Sequence, residues 1–372
     1  MKLHIKNGFY IVLTTLILLN ILLFIKLKFF LPQLTGNVQL LDFDTYYKLV
    51  KDILKGINPY TVSYMQTLGP PTVFFYFLPF SLFILSKARF FYTIINILAG
   101  FFTCHLLAKN LFKRRLRING FLFFSLLYFS SFPVRFSIEM GQPNTILSYL
   151  ITSLIFESDK KYKSVILSIL ILIKTNYLIT FIAFIKKNII IIFKSLMLIL
   201  FICLILSPFI KPSFYTYYIN NKSQNFTPSL TKNDSLNYYN QSIPARLNTL
   251  GFNQASLPIY FTISILVIIT ILKKQNLLLA LISSLILSPT LWQHYFAALI
   301  PVYFITLVKS KTLLLRMCSV LLFLLIWIEF PFLHIIKTNF FTAIISSHYL
   351  ISAIILFFLV QKKRIVAPPA SK

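Results

Sequence analysis

The chain has 372 residues, with 36 Lys and Arg against 8 Asp and Glu, for a formal net charge of +28. At 58% hydrophobic residues and a mean hydropathy of +0.80 it lies far above soluble domains. Apolar runs such as Phe9–Leu31 and Phe340–Val360 are long enough to cross a bilayer. A soluble enzyme or nucleic-acid-binding domain is excluded. The cations sit between apolar runs, where the positive-inside rule accounts for them and no nucleic acid is required.

These features predict an all-α, polytopic membrane protein of about twelve spans, one integral domain over residues 1–372. Cys104, Cys203 and Cys318 lie in apolar runs without the spacing that disulfide, zinc or redox chemistry needs. The first run, Phe9–Leu31, has a basic start but no small-residue cleavage site before Lys26 and Lys28, and reads as an uncleaved span. Basic clusters at Lys2 and Lys6, Lys109–Arg117, Asp159–Lys163, Lys186-Lys187, Lys273-Lys274, Lys309–Lys311 and Gln361–Arg364 are assigned to the cytoplasm, with both termini.

The first outer loop, residues 32–89, holds three of the acids, Asp42, Asp44 and Asp52. Phe43, Tyr46, Tyr47, Val50, Ile53, Leu54 and Ile57 recur at helical steps. Asp44–Lys48 and Lys48–Asp52 are i,i+4 pairs, each contributing about 0.2–0.5 kcal/mol, and Gly56 with Asn58-Pro59 ends the helix. Asp42 has no base at i+3 or i+4, so it either caps a helix beginning at Phe43 or does something else. Pro70–Ser86 reads as a helix in the outer interface, which leaves Lys87 and Arg89 outside.

Span two is placed at Phe90–Ala108, span three at Ile118–Phe132 and span four up to Phe156, with Gly141-Gln142-Pro143-Asn144 in the outer turn between the last two. Residues 163–186 are too few for two crossings, and the polar break Lys174-Thr175-Asn176 predicts two half-helices. After a crossing at Asn188–Ile210 comes the main outer loop, 211–257, then spans near 258–272, 276–290, 295–308, 312–330 and 340–360.

No nucleotide-binding or metal-ligating motif is present, so no cofactor and no metal are expected. A lipid-linked, already activated donor needs neither. It needs a base for the acceptor hydroxyl and cations or donors for the departing phosphate. Arg135 is a phosphate candidate or the partner of Glu139. Lys174 faces an anion or wet cavity, or snorkels to the interface. Gln142 and Asn144 bond sugar hydroxyls, or satisfy a turn and cap the next helix. His294 is either functional or a hydrogen-bonded interfacial histidine, with Trp292 and Tyr295 as aromatic-belt residues.

Several pieces in order resemble one family. They are D-F-x-x-Y-Y with L-x-G-x-N-P-Y (Asp42–Tyr60), Pro70-Pro71 with a helix ending near Pro79, G-Q-x-N (Gly141–Asn144) and Lys174-Thr175. N-Q-S with a following arginine (Asn240–Ser242, Arg246) and S-P-x-x-W-x-H (Ser288–His294) complete the set. The chain resembles the GT-C superfamily of glycosyltransferases, and within it the polyprenol-phosphate-mannose-dependent α-mannosyltransferase-related family, glycosyltransferase family eighty-seven. It departs in having Thr175-Asn176 where that family has proline near the lysine.

The resemblance implies a membrane hexosyltransferase with Asp42 as general base and Lys174, His294 and Arg135 at the donor phosphate. Gln142 and Asn144 are then sugar or acceptor contacts, and the outer-loop residues Tyr60, Gln241 and Arg246 either contact sugar or phosphate or serve ordinary loop packing. It further implies a polyprenyl-phosphate sugar donor, a glycan or glycolipid acceptor, membrane lipid around the chain, and a site on the outer face of the cell membrane. A transporter or lipid-linked-sugar flippase, and a family member that binds donor without turnover, remain the alternatives.

Overall fold

The computed structural model describes residues 40–61, 70–186, 188–220, 239–328 and 340–363. Helices dominate them, and no β-strand occurs among the described residues. The expected first span at Phe9–Leu31 lies outside them.

Helix α1 (Leu41–Leu54) forms where the period-3.6 pattern predicts it. Phe43, Leu49, Val50 and Ile53 are its buried face. Leu54 and Ile57, read as the end of that face, are exposed, because the helix stops at Leu54 and the chain turns away. Leu40 is the N-cap and no side chain caps the start. Asp42 therefore lies inside the first turn and is not the cap of a helix beginning at Phe43.

The apolar run after Pro70 is a short helical stretch, Pro71–Leu82, in which a single α-helical turn, Phe74–Phe77, lies between 3-10 segments Pro71–Val73 and Leu78–Leu82. Their aromatic rings close on α1: Phe43 lies 6.0 Å from Phe77, 5.8 Å from Phe80 and 4.5 Å from Tyr92. Tyr92 belongs to α2 (Leu85–Leu111). Asp44 is clamped across this junction by Arg89, Nε to Oδ1 at 2.7 Å and Nη2 to Oδ2 at 2.5 Å. That fork explains why a basic residue sits at the end of α2 assigned to the outside.

Next come α3 (Arg117–Ser130), α4 (Phe132–Met140), α5 (Asn144–Phe156) and α6 (Lys160–Ile173). The stretch Thr175–Ala183 is 3-10 helix, and α7 (Ile189–Leu206) follows. The second half contains α8 (Ile243–Thr249), α9 (Ser256–Lys274), α10 (Leu277–Ile286), a 3-10 stretch Gln293–Leu299, and α11 (Ile300–Lys309). The series ends with α12 (Leu313–Trp327), α13 (Phe340–Ser346) and α14 (His348–Lys363).

Among the described residues, α2, α7 and α9 are each long and apolar enough to cross a membrane. Two bent pairs raise the number to five: the helical stretch Arg114–Ser130 with α4 at 63°, and α13 with α14 at 59°. Twelve full spans are thus not what the described chain shows. Helix α5 has 13 residues and α10 has 10, which at about 1.5 Å per residue fall short of a core roughly 30 Å thick. Hydropathy counts apolar residues and does not register that the backbone is broken.

Helix α7 shows why the molecule belongs in lipid. Only Ile191, Ser195 and Leu206 are buried on it, while Phe193, Met197, Leu200, Phe201 and Leu204 are exposed. An exposed helix apolar on nearly every side has hydrocarbon as its solvent. It is tied to α6 through small polar residues: Ser195 Oγ donates to the Ser164 carbonyl at 3.0 Å, and Ser168 Oγ to the Ser195 carbonyl at 3.1 Å.

Candidate active site

The site is built on the turn Gly141–Asn144. Helix α4 ends at Met140 with Gly141 in the left-handed region at φ 71°. The Gln142 amide then donates back to the Ser137 carbonyl at 2.8 Å, a helix-closing arrangement that favours glycine at this position. A second reason for glycine comes from α1. A Cβ on residue 141 would lie 2.6 Å from Phe43 Cβ and 3.0 Å from Leu40 Cβ. The start of α1 therefore rests directly on this turn.

The contact brings Asp42 over Gln142, whose Nε2 donates to Asp42 Oδ2 at 2.7 Å. Two residues on, Asn144 is fully buried at the first position of α5. It supplies no cap, contrary to one expectation. Its Nδ2 donates to Ser137 Oγ at 3.2 Å, and its Oδ1 accepts from Lys174 Nζ at 2.7 Å. An ammonium can only donate, so the amide is oriented from both sides.

Lys174 sits at the predicted backbone break, extended (φ −142°, ψ 110°) between α6 and the 3-10 stretch. Its Nζ lies 3.0 Å from the ring centroid of Tyr295, a cation–π contact. The lysine is thus held against protein groups on two sides, the Asn144 amide and the Tyr295 ring. The adjoining departure from the family pattern has its own use. Asn176 Nδ2 donates to the Ser284 carbonyl at 2.9 Å, tying the broken segment to α10.

His294 arrives from the other half of the chain. Asn240 and Trp292 form an antiparallel bridge. The Gln241 amide donates to the Leu291 carbonyl at 2.5 Å, the Gln293 amide to the Tyr239 carbonyl at 3.1 Å. The N-Q-S and S-P-x-x-W-x-H motifs are therefore one structural unit. His294 is 4% exposed, with its ring 5.4 Å from Phe136 and 4.8 Å from Tyr295. Neither ring nitrogen has a hydrogen-bond partner among the described residues, so it is not the hydrogen-bonded interfacial histidine that was the alternative. A buried imidazole whose two nitrogens meet no protein partner among the described residues keeps its hydrogen-bonding capacity available.

Burial lifts the Asp42 carboxyl above its ordinary value; the Gln142 bond and the Lys174 charge oppose this but do not overcome it. Asp42 and Lys174 both keep part of their surface exposed. The structure therefore gathers Asp42, Gln142, Asn144, Lys174 and His294, with Tyr295, which the sequence placed in an aromatic belt, and Ser137 and Phe136, which it did not single out.

The remaining candidates lie around this group. Arg135 is half-buried on α4, next to the Phe136 that meets His294. Tyr60 is buried, with its ring 5.5 Å from the ring of Tyr218. Gln241 and Arg246 reach toward α13: Gln241 Nε2 donates to the Ser346 carbonyl at 2.9 Å, and Arg246 Nη1 to Ser346 Oγ at 3.1 Å.

A half-buried carboxylate beside a lysine and an unsatisfied imidazole can take a proton and receive an anion. The model of glycosyltransferase family 87 matches residues 68–325, well over half of the chain. That span covers Gln142, Asn144, Lys174, Gln241, Arg246 and His294, and begins after Asp42. No curated protein and no solved structure matches. On this match the chain belongs to glycosyltransferase family 87.

Proposed function

We propose that the protein is a membrane hexosyltransferase, and specifically a mannosyltransferase, that takes its sugar from a polyprenyl-phosphate donor. The acceptor is a hydroxyl of a glycan or glycolipid on the outer face of the cell membrane, both chain termini lying in the cytoplasm. One observation carries this reading. An acid and a lysine far apart in the sequence are gripped by a single four-residue turn, Asp42 through Gln142 and Lys174 through Asn144.

Asp42 takes the proton of the acceptor hydroxyl as that oxygen attacks the anomeric carbon. The bond from that carbon to the donor phosphate oxygen breaks, and the phosphate leaves with the electron pair. Its growing charge meets the Lys174 ammonium and an N–H of His294, with Arg135 nearby. Attack opposite the leaving phosphate inverts the anomeric centre. A base whose pKa lies above the usual carboxylate range is a better proton acceptor once ionised, and burial moves Asp42 in that direction.

The test is transfer of radiolabel from polyprenyl-phosphate mannose to glycan and glycolipid acceptors by purified protein in lipid nanodiscs. Asp42→Asn is expected to lower the rate by about 10²–10⁴-fold. Energy-coupled sugar movement without transfer would overturn the reading in favour of a transporter.

A further inference from the structure

We infer that the Gly141–Asn144 turn is a bracket that holds Asp42 and Lys174 apart, with Gln142 and Asn144 as positioning residues that keep one a free base and the other a free cation. The inference rests on the proposed roles of Asp42 and Lys174. It replaces the expectation that the two amides bind sugar.

A carboxylate and an ammonium facing each other in half-buried surroundings attract strongly. In direct contact they would neutralise each other. The acid would then be a poorer base and the lysine a poorer phosphate ligand. Here each is bonded to an amide: Gln142 Nε2 donates to Asp42 Oδ2, and Asn144 Oδ1 accepts from Lys174 Nζ, both at 2.7 Å. An amide satisfies a charged group without cancelling its charge.

The amides cannot drift, because the turn between them is over-determined. Gly141 is fixed by the helix end and by Phe43 above it, Pro143 restricts its own φ, and Ser137 orients Asn144. On its other side Lys174 meets the face of Tyr295 at 3.0 Å, again without a counter-ion. The titratable and charged groups on the elements around Asp42 include Lys174, Tyr295, His294, Tyr76, Tyr92, Lys87, the Arg135–Glu139 segment of α4, Tyr46, Tyr47 and Lys48 on α1 itself, and Arg89, which is committed to Asp44. Of these, Lys174 acts on the carboxylate of Asp42, and Tyr295 in turn feels Asp42.

The experiment is the pH dependence of kcat/KM for the full-length protein with polyprenyl-phosphate mannose, comparing wild type, Gln142→Met and Asn144→Leu. Gln142→Met should move the acid limb to higher pH, since a bond favouring the carboxylate is lost, and leave the donor KM within about twofold. Asn144→Leu should move the limb to lower pH, since the released lysine closes on Asp42, and raise the donor KM about tenfold or more. A purely structural pair of residues would not shift the limb in opposite directions.

Should either variant fail to assemble, the near-isosteric Gln142→Glu and Asn144→Asp serve instead. The first should raise the limb further, and the second should raise the donor KM by pairing with the lysine. Limbs that move together, or a fall in kcat with the limb unmoved, would overturn the bracket while leaving the transferase reading intact. Wild-type protein that transfers no sugar would overturn that reading and the bracket with it.

Discussion

Lys174 and Arg246 are both cations carried into an apolar chain, and the molecule uses them in opposite ways. Arg246 is 2% exposed and reaches the end of α13, where Gln241 joins it on Ser346. The sharp bend between α13 and α14 leaves helix-end carbonyls in need of donors, and the C-terminal end of a helix favours positive charge. Arg246 and Gln241 meet both needs, so their chemistry is spent on the fold. Lys174 is largely buried, held by one amide and one ring, and lies in the field of an acid with which it makes no direct ion pair among the described residues. What distinguishes Lys174 is its place, between the Asn144 amide and the Tyr295 ring and within the field of Asp42, whereas Arg246 is anchored to the end of α13.

This distinction can be broken by mutation. Lys174→Met should raise the donor KM about tenfold or more and lower kcat/KM by about 10²–10³-fold. Arg246→Met should lower Tm clearly and leave the donor KM of the surviving folded protein within about twofold. Steady-state kinetics at varied donor concentration, with thermal melts, separate the two. An Arg246→Met variant whose donor KM rises as far as that of Lys174→Met would return Arg246 to the substrate.

Two glycines sharpen the comparison by a smaller effect. Gly141 and Gly251 both have positive φ, 71° and 91°. A Cβ at 251 meets nothing within 4 Å, whereas one at 141 strikes Phe43. Both alanine substitutions carry a conformational cost of about 1–2 kcal/mol. Gly141→Ala must also push α1, and with it Asp42, off the turn. It is expected to lower kcat/KM as well as Tm, and Gly251→Ala to lower Tm alone. Equal kinetics for the two would mean that the seat of α1 does not matter to the chemistry.

Local features were legible in the sequence, and contacts across the chain were not. The helical period placed α1, and the absence of a nearby base singled out Asp42. A polar triplet inside an apolar run marked the break at Lys174. The partner of Asp42 lies 100 residues away, beyond any periodicity. Asp44 was assigned to lysines on its own helix because i,i+4 neighbours are all that a helical wheel offers. Arg89 reaches it from α2. Tyr295 read as an interfacial aromatic, since nothing in the string says that a lysine lies against its ring. Among the described residues, α5, α10 and the 3-10 stretches are apolar enough to read as spans but too short or irregular to cross alone, which hydropathy does not register.

The last contrast is between two acids on one turn of α1, and Asp42→Asn carries the smallest expected effect of all. The carboxyl of Asp42 is raised by burial. A carboxyl whose folded value exceeds its unfolded one favours the fold when protonated. That contribution is complete below the ordinary carboxylate range and is lost as pH rises through the raised value. At neutral pH the ionised Asp42 is therefore a cost to the fold. Asp42→Asn, which can still accept the Gln142 bond, should raise Tm slightly there, with the gain shrinking as pH is lowered. Asp44 makes a two-bonded ion pair with Arg89 that is largely shielded from solvent, so Asp44→Asn should lower Tm at neutral pH. Its cost is roughly 1–3 kcal/mol, between the limits for exposed and buried pairs. Thermal melts of both variants across the acid range read the two signs directly. If Asp42→Asn instead lowers Tm at neutral pH, the charge at 42 supports the fold as the charge at 44 does, and the contrast between a working acid and a structural one fails.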